Sequence, residues 1–97
     1  MPAHFDAEVC SAFRRQFRRG LLSRAELDRV VPRLATFVAE RVALPPLLAE
    51  AHALADRLSV GDAFYIALAR ARRADFVTAD GRLARAAAGL ANIRLVR

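Results

Sequence analysis

The stretch LSVGDAFYIALARARRADFVTADGRLAR, residues 58–85, changes hydrophobic period twice within 28 positions. From Asp62 to about Arg73, the residues Phe64, Ile66, Ala67, Leu68 and Ala71 recur at helical spacing and predict a helix with a broad buried face. Asp75-Phe76-Val77-Thr78-Ala79-Asp80 is a short apolar run with a polar end and predicts a strand, after which Gly81-Arg82-Leu83-Ala84-Arg85 opens another helix. Ile93-Arg94-Leu95-Val96 supplies a second strand. Two strands joined through a helix-length crossover pair in parallel, so the expected fold class is α/β, a parallel sheet flanked by helices.

Working back from this stretch, Leu47 to Leu58 predicts a helix carrying Leu48, Ala51, Leu54, Ala55 and Leu58 on one face. Pro45 and Pro46 stop whatever precedes them, and between Phe37 and Leu44 the pattern turns β-like, with Val38 and Val42 among polar neighbours. A short strand is expected there. Ser23 and Glu26 have capping-box spacing and open a helix through Leu27, Val30, Val31 and Leu34, with a kink or break at Pro32. Asp6 is a good N-cap for a first helix over residues 7 to 19, whose stripe of Val9, Cys10, Phe13 and Phe17 ends at Gly20. Its other side carries Arg14, Arg15, Arg18 and Arg19 as a basic ridge.

A chain of 97 residues buries one core of modest depth, so a single domain over 1–97 is expected. All 16 basic residues are arginine, against 10 acids, giving a net charge of +6. That balance suits a polyanion or an acidic protein partner, although a high-GC coding sequence gives the same arginine-for-lysine bias. The single Cys10 has no intrachain partner for a disulfide, which suits a reducing compartment. No apolar run is long enough to span a bilayer, and MPAHFDAEV is not built like a signal peptide. A soluble, cytoplasmic protein is expected.

The acids carry the chemistry. Glu8, Asp62 and Asp80 each fall in the first turn of a predicted helix, and in a parallel α/β sheet those turns lie beside the carboxyl ends of the strands, where ligands gather. Three carboxylates meeting in one crevice suit a hard divalent cation such as Mg²⁺ or Mn²⁺ better than zinc. Each also has an ordinary explanation: Asp62 stands in a capping-box position after Ser59, Asp80 is a natural N-cap, and Glu8 complements the helix dipole.

The words of the sequence add a resemblance. LSVGDAFYIALA (residues 58–69) and FVTADGRLA (76–84), with PAHFDAEV (2–9) and the arginine-rich helix upstream, resemble PIN-domain ribonucleases of the VapC toxin type over nearly the whole chain. The resemblance implies an endoribonuclease of a toxin–antitoxin pair that uses Mg²⁺ or Mn²⁺, is held inactive by a cognate antitoxin, cuts RNA and forms a homodimer. Carried over by position, Glu8, Asp62 and Asp80 are the catalytic and metal-binding acids, and Thr78 and Ser59 support them. Arg14, Arg15, Arg18 and Arg19 are candidate contacts for RNA or antitoxin.

Gly61 departs from the aromatic residue that the family commonly places before the middle Asp. The family also begins with a strand bearing a further Asp, then a helix and a second strand, for which this sequence has no counterpart. The expectation is therefore a fold incomplete at its N-terminus, from a misassigned start, a deletion or a truncation, with weakened metal affinity and a tendency to dimerise, exchange elements or aggregate. The competing expectation is a non-catalytic remnant that binds antitoxin or RNA. Arg70, Arg72 and Arg73 suit either RNA or antitoxin contact or a solvated helix face, Tyr65 suits core or site-wall packing, and His4 and His52 have no partner that the sequence names.

Overall fold

The computed structural model describes residues 1–96, which divide into two compact units, Met1 with Ala3–Val42 and Pro2 with Ala43 onward. In the first unit, α1 (Phe5–Arg18) packs against α2 (Arg24–Val30) and against the 3-10 helix Val31–Thr36. Gly20, at φ +76°, ends α1: its amide bonds the Phe17 carbonyl and the Leu21 amide bonds that of Gln16, a left-handed closure that glycine adopts without steric cost. The capping box forms as expected, with the Glu26 amide on Ser23 Oγ at 3.1 Å and the Ser23 amide on Glu26 Oε1 at 2.9 Å. Pro32 has no N–H for an α-helical bond, and the backbone tightens into the 3-10 helix where α2 stops.

Two expectations in this unit are corrected. Asp6 is not the N-cap of α1; the helix starts after His4, and the Asp6 carboxylate reaches Arg41 instead. Nor is there a strand over residues 37–44. Val38 is 97% exposed, and pairing with the start of the chain is limited to Glu40, whose carbonyl accepts from the Met1 amino group at 2.7 Å, and Val42, whose amide bonds the Met1 carbonyl at 2.7 Å and whose carbonyl accepts from Ala3 at 2.8 Å. Arg41 bears on this: its guanidinium takes the carbonyls of Phe37 and Ala39 at 2.6 and 2.8 Å, acceptors that a ladder here would use, as well as that of Leu34 at 2.9 Å in the preceding 3-10 helix, and pairs with Asp6 at 2.8 and 3.1 Å. The segment is therefore coiled around one cation instead of being extended.

The second unit holds most of the core. The 3-10 helix Pro45–Leu47 leads into α3 (Leu48–Leu54), which packs along α4 (Val60–Arg72). Ala51, Ala63, Ala67 and Ala87 are buried with Leu54, Leu58, Phe64, Ile66 and Leu83. The α3 and α4 alanines let the two backbones approach closely, while Phe64 and Ile66 fill the remaining volume. Of the predicted apolar face, Leu48 and Ala71 fall on the exposed side. α4 is followed by β1 (Asp75–Thr78), α5 (Gly81–Ala86) and β2 (Asn92–Leu95). The two strands pair in parallel, Asp75 beside Asn92 through Thr78 beside Leu95, and α4 and α5 both pack on β1, as the α/β expectation required.

Candidate functional site

Asp62 stands in the first turn of α4 and Asp80 follows β1 as the N-cap of α5, with the chain reversing between them. α4 closes on Arg73 in the left-handed region (φ 51°), where the Ala74 amide bonds the Ala69 carbonyl at 2.9 Å, and the chain reverses at once. From Arg73 back to Asp62 is about 16 Å of helix at ~1.5 Å per residue. From Ala74 on to Asp80 is about 20 Å of extended chain at ~3.3 Å per residue. The two stretches are thus of similar length, and the Tyr65 and Phe76 rings lie 6.2 Å apart.

Both acids are held by a hydroxyl two or three residues upstream. Ser59 Oγ accepts from the Asp62 amide at 3.2 Å, and Thr78 Oγ1 from the Asp80 amide at 3.0 Å. Ser59 and Thr78 therefore act on the backbone that carries each carboxylate, leaving the carboxylate itself available. The reciprocal half of a capping box is not made at Asp62, whose half-buried carboxylate has no hydrogen-bond or ion-pair partner among the described residues. Asp80 is shared: Oδ1 caps α5 through the amides of Arg82 at 2.9 Å and Leu83 at 3.2 Å, and Oδ2 has no partner among the described residues. The structural role foreseen for Asp80 occupies one of its two oxygens.

Glu8 lies in the first unit, in the first turn of α1, with 52% of its side chain exposed and His4 Nε2 at 3.7 Å. Among the described residues no three His, Cys, Asp or Glu side chains are gathered as a metal-binding cluster. Arg14, Arg15, Arg18 and Arg19 are all exposed on α1 and have no hydrogen-bond or ion-pair partner among the described residues. Arg70 is committed to structure, with Glu50 at 2.7 Å and the Leu90 carbonyl at 3.0 Å, and His52 is exposed on α3. Tyr65 is half-buried against Phe76.

The organising residue that periodicity did not reveal is Arg41. Bonding to its guanidinium holds the Asp6 carboxyl below the usual carboxylate range, and the same bond raises Arg41 further. The Ser23 amide likewise lowers Glu26. A partner 35 positions away leaves no local signature, so nothing in the sequence near Arg41 could have announced the pair.

No helix of the described residues is long and apolar enough to cross a membrane. The chain is 44% identical over 85 residues to Ribonuclease VapC3 of Mycobacterium tuberculosis strain H37Rv, an overlap of 88% of this chain and 62% of that protein. It is 38% identical over 95 residues to Ribonuclease VapC12 of the same strain, 98% of this chain and 74% of that protein. It therefore spans somewhat less than two thirds of the length of VapC3. No solved structure matches it. The family model of the PIN domain matches residues 1–89, and with a parallel strand pair on which helices pack, the chain belongs to the PIN domain family.

Proposed function

We propose that this chain is the greater part of a metal-dependent endoribonuclease, the toxin of a toxin–antitoxin pair, in which Asp62, Asp80 and Glu8 bind Mg²⁺ or Mn²⁺. The single observation carrying the reading is that the Asp62 carboxylate and Asp80 Oδ2 have no partner among the described residues, each acid standing on a backbone fixed by a hydroxyl. The donor set fits a hard cation: Mg²⁺ is commonly bound through one or two carboxylates, with water and substrate phosphate oxygens completing its shell. Asp62 and Asp80 Oδ2 offer such oxygens, and Glu8 is the third candidate.

When bound, the ion supplies Lewis-acid polarisation of the phosphate and a water of lowered pKa. The protein's own part is positional. Thr78 and Ser59 fix the backbone from which Asp80 and Asp62 project, and capping of α5 by Oδ1 restricts the rotamer from which Oδ2 points. Asp80 caps α5 with one oxygen and offers the other to the ion. A cognate antitoxin, an RNA substrate, a homodimer and a cytoplasmic setting belong to the same reading.

The second reading, a non-catalytic PIN remnant that binds antitoxin or RNA, is favoured by the structural duties these acids already carry, Asp80 capping α5 and Glu8 lying beside His4. Mn²⁺-dependent cleavage of a structured RNA separates the two. The nuclease reading expects cleavage that disappears in chelator and falls at least tenfold in Asp80→Asn. Equal rates for the chain and the variant would remove Asp80 from the site, and no cleavage at any metal concentration would leave the remnant reading.

A further inference from the structure

α4 ends on a residue that its backbone geometry does not favour. Arg73 closes the helix at φ 51° and is the one non-glycine among the described residues in the left-handed region, where glycine is the usual occupant. Dipole complementarity does not call for it, because Arg70 and Arg72 already stand in the last turn. Packing does not either: Arg73 is exposed, and its guanidinium has no hydrogen-bond or ion-pair partner among the described residues. A strained backbone under a side chain with no structural duty points to a ligand.

Arg73 lines a cleft of about 540 Å³ in the second unit, within the size range of small-molecule sites and far larger than one inorganic ion. One wall is the last turn of α4 with Ala74, and the other is residues 89–91. Asp75 and Asn92, the first residues of β1 and β2, complete it. Asp80 follows the opposite end of β1, so the cleft is separate from the candidate metal site.

The charges around the cleft cancel except for one. Arg70 is met by Glu50 at 2.7 Å and donates to the Leu90 carbonyl at 3.0 Å, while Asp75 is met by Arg94 at 2.7 Å and accepts from the Asn92 side-chain amide. The surplus is the single positive charge of Arg73, whose guanidinium fork can take a carboxylate or a phosphate in bidentate fashion. A surplus of one, beside the negative end of the α4 dipole, matches a monoanion better than a phosphate dianion. Asn92 Oδ1 has no partner among the described residues and is an acceptor for a ligand hydroxyl. A ligand ammonium would find no surplus carboxylate, because Arg94 already neutralises Asp75.

We infer that this cleft binds a small hydroxylated monocarboxylate of the sugar-acid class, its carboxylate on Arg73 and its hydroxyls on Asn92 and Asp75. Arg70, tied to Glu50 and to the Leu90 carbonyl, holds the two walls together. The inference goes beyond the ribonuclease reading and requires neither metal nor RNA.

The test titrates gluconate into the 97-residue chain in EDTA and follows the amide ¹H–¹⁵N resonances. A saturable shift is expected at Arg73, Ala74 and residues 89–92, with none at Asp62 or Asp80. Arg73→Gly relieves the left-handed backbone, so it should melt no lower than the parent chain while affinity falls about tenfold or more through loss of a charged hydrogen bond. Arg73→Asn, which also tolerates this backbone region, should lose as much and serves as the second variant should glycine loosen the turn. Arg73→Lys keeps the charge without the fork and should fall between parent and glycine. Arg82→Gln, which removes an exposed charge of the same unit outside the cleft, should bind gluconate like the parent. Propionate, lacking hydroxyls, should bind about threefold weaker or more, and sorbitol, lacking the carboxylate, should not compete. No saturable shift at millimolar gluconate, parent-like affinity in Arg73→Gly, an equal loss in Arg82→Gln, or equal binding of propionate or sorbitol overturns the inference. Tighter binding of glycerol 3-phosphate than of gluconate overturns the monocarboxylate assignment.

Discussion

At Asp80 one oxygen is committed to the amides of Arg82 and Leu83 while the other has no partner among the described residues, so capping and metal binding can be separated by substitution. Asparagine keeps an oxygen for the cap but loses the charge. Asp80→Asn is expected to change unfolding free energy by less than about 0.5 kcal/mol in urea denaturation, whereas Asp80→Ala costs about 1 kcal/mol. Both are expected to abolish any rise in melting temperature with Mn²⁺. Thr78→Val removes the acceptor of the Asp80 amide, and the expected loss is about 1 kcal/mol together with weaker Mn²⁺ binding; Thr78→Ser restores both. A loss of stability without a loss of metal affinity would show that Thr78 serves the cap alone.

Arg41 and Arg73 act on whole elements. Arg41 gathers the carbonyls of Leu34, Phe37 and Ala39 and clamps Asp6 of α1, so it holds the segment after α2 against the first helix, with the Phe5 and Phe37 rings 5.9 Å apart beside it. The Asp6 carboxyl is lowered in the folded state by the Arg41 bond. Its stabilising contribution is therefore present above the carboxyl's unfolded value and is lost as pH falls through that value toward the folded one. Thermal melts through the acidic range should show this unit loosening, and Asp6→Asn should flatten that part of the profile. Arg73 holds a left-handed conformation (φ 51°) that costs a side-chain-bearing residue about 1–2 kcal/mol. Arg73→Gly is expected to stabilise the turn between α4 and β1 by about 1 kcal/mol or less, once glycine's greater unfolded-state freedom is subtracted, in a urea titration at neutral pH.

For the molecule as a whole, the buried volume is concentrated in the second unit. Ile66 is fully buried in α4, and Ile66→Ala is expected to cost about 2–5 kcal/mol. For a chain of this size that is a large part of the total, so the variant should be substantially unfolded by circular dichroism at 37 °C. In the first unit only Leu27 is buried among the large side chains, and α1 buries none completely. Ligand binding to the folded state stabilises it by about 2.7 kcal/mol at a hundred times Kd, so a Mn²⁺ titration of the melting temperature reads the proposed site directly. No rise at millimolar Mn²⁺ would count against it.

Features that depend on a few adjacent residues were fully written in the sequence. The Ser23–Glu26 box, the stop at Gly20, the break at Pro32, the cap at Asp80 and the helix–strand–helix order from Asp62 onward each follow from backbone donors meeting a nearby side chain or from a residue's permitted φ. The motif words carried the family for the same reason: they encode local turns and the acids set in them. The tertiary structure alone decided the fate of residues 37–44, because a strand exists only with a partner ladder and Arg41 took its carbonyls instead. It also decided that Asp6 would serve an ion pair 35 positions away and not a helix end. The packing of α4 against β1, which sets the Tyr65 and Phe76 rings 6.2 Å apart, is likewise a property of packed elements that no short window of residues contains.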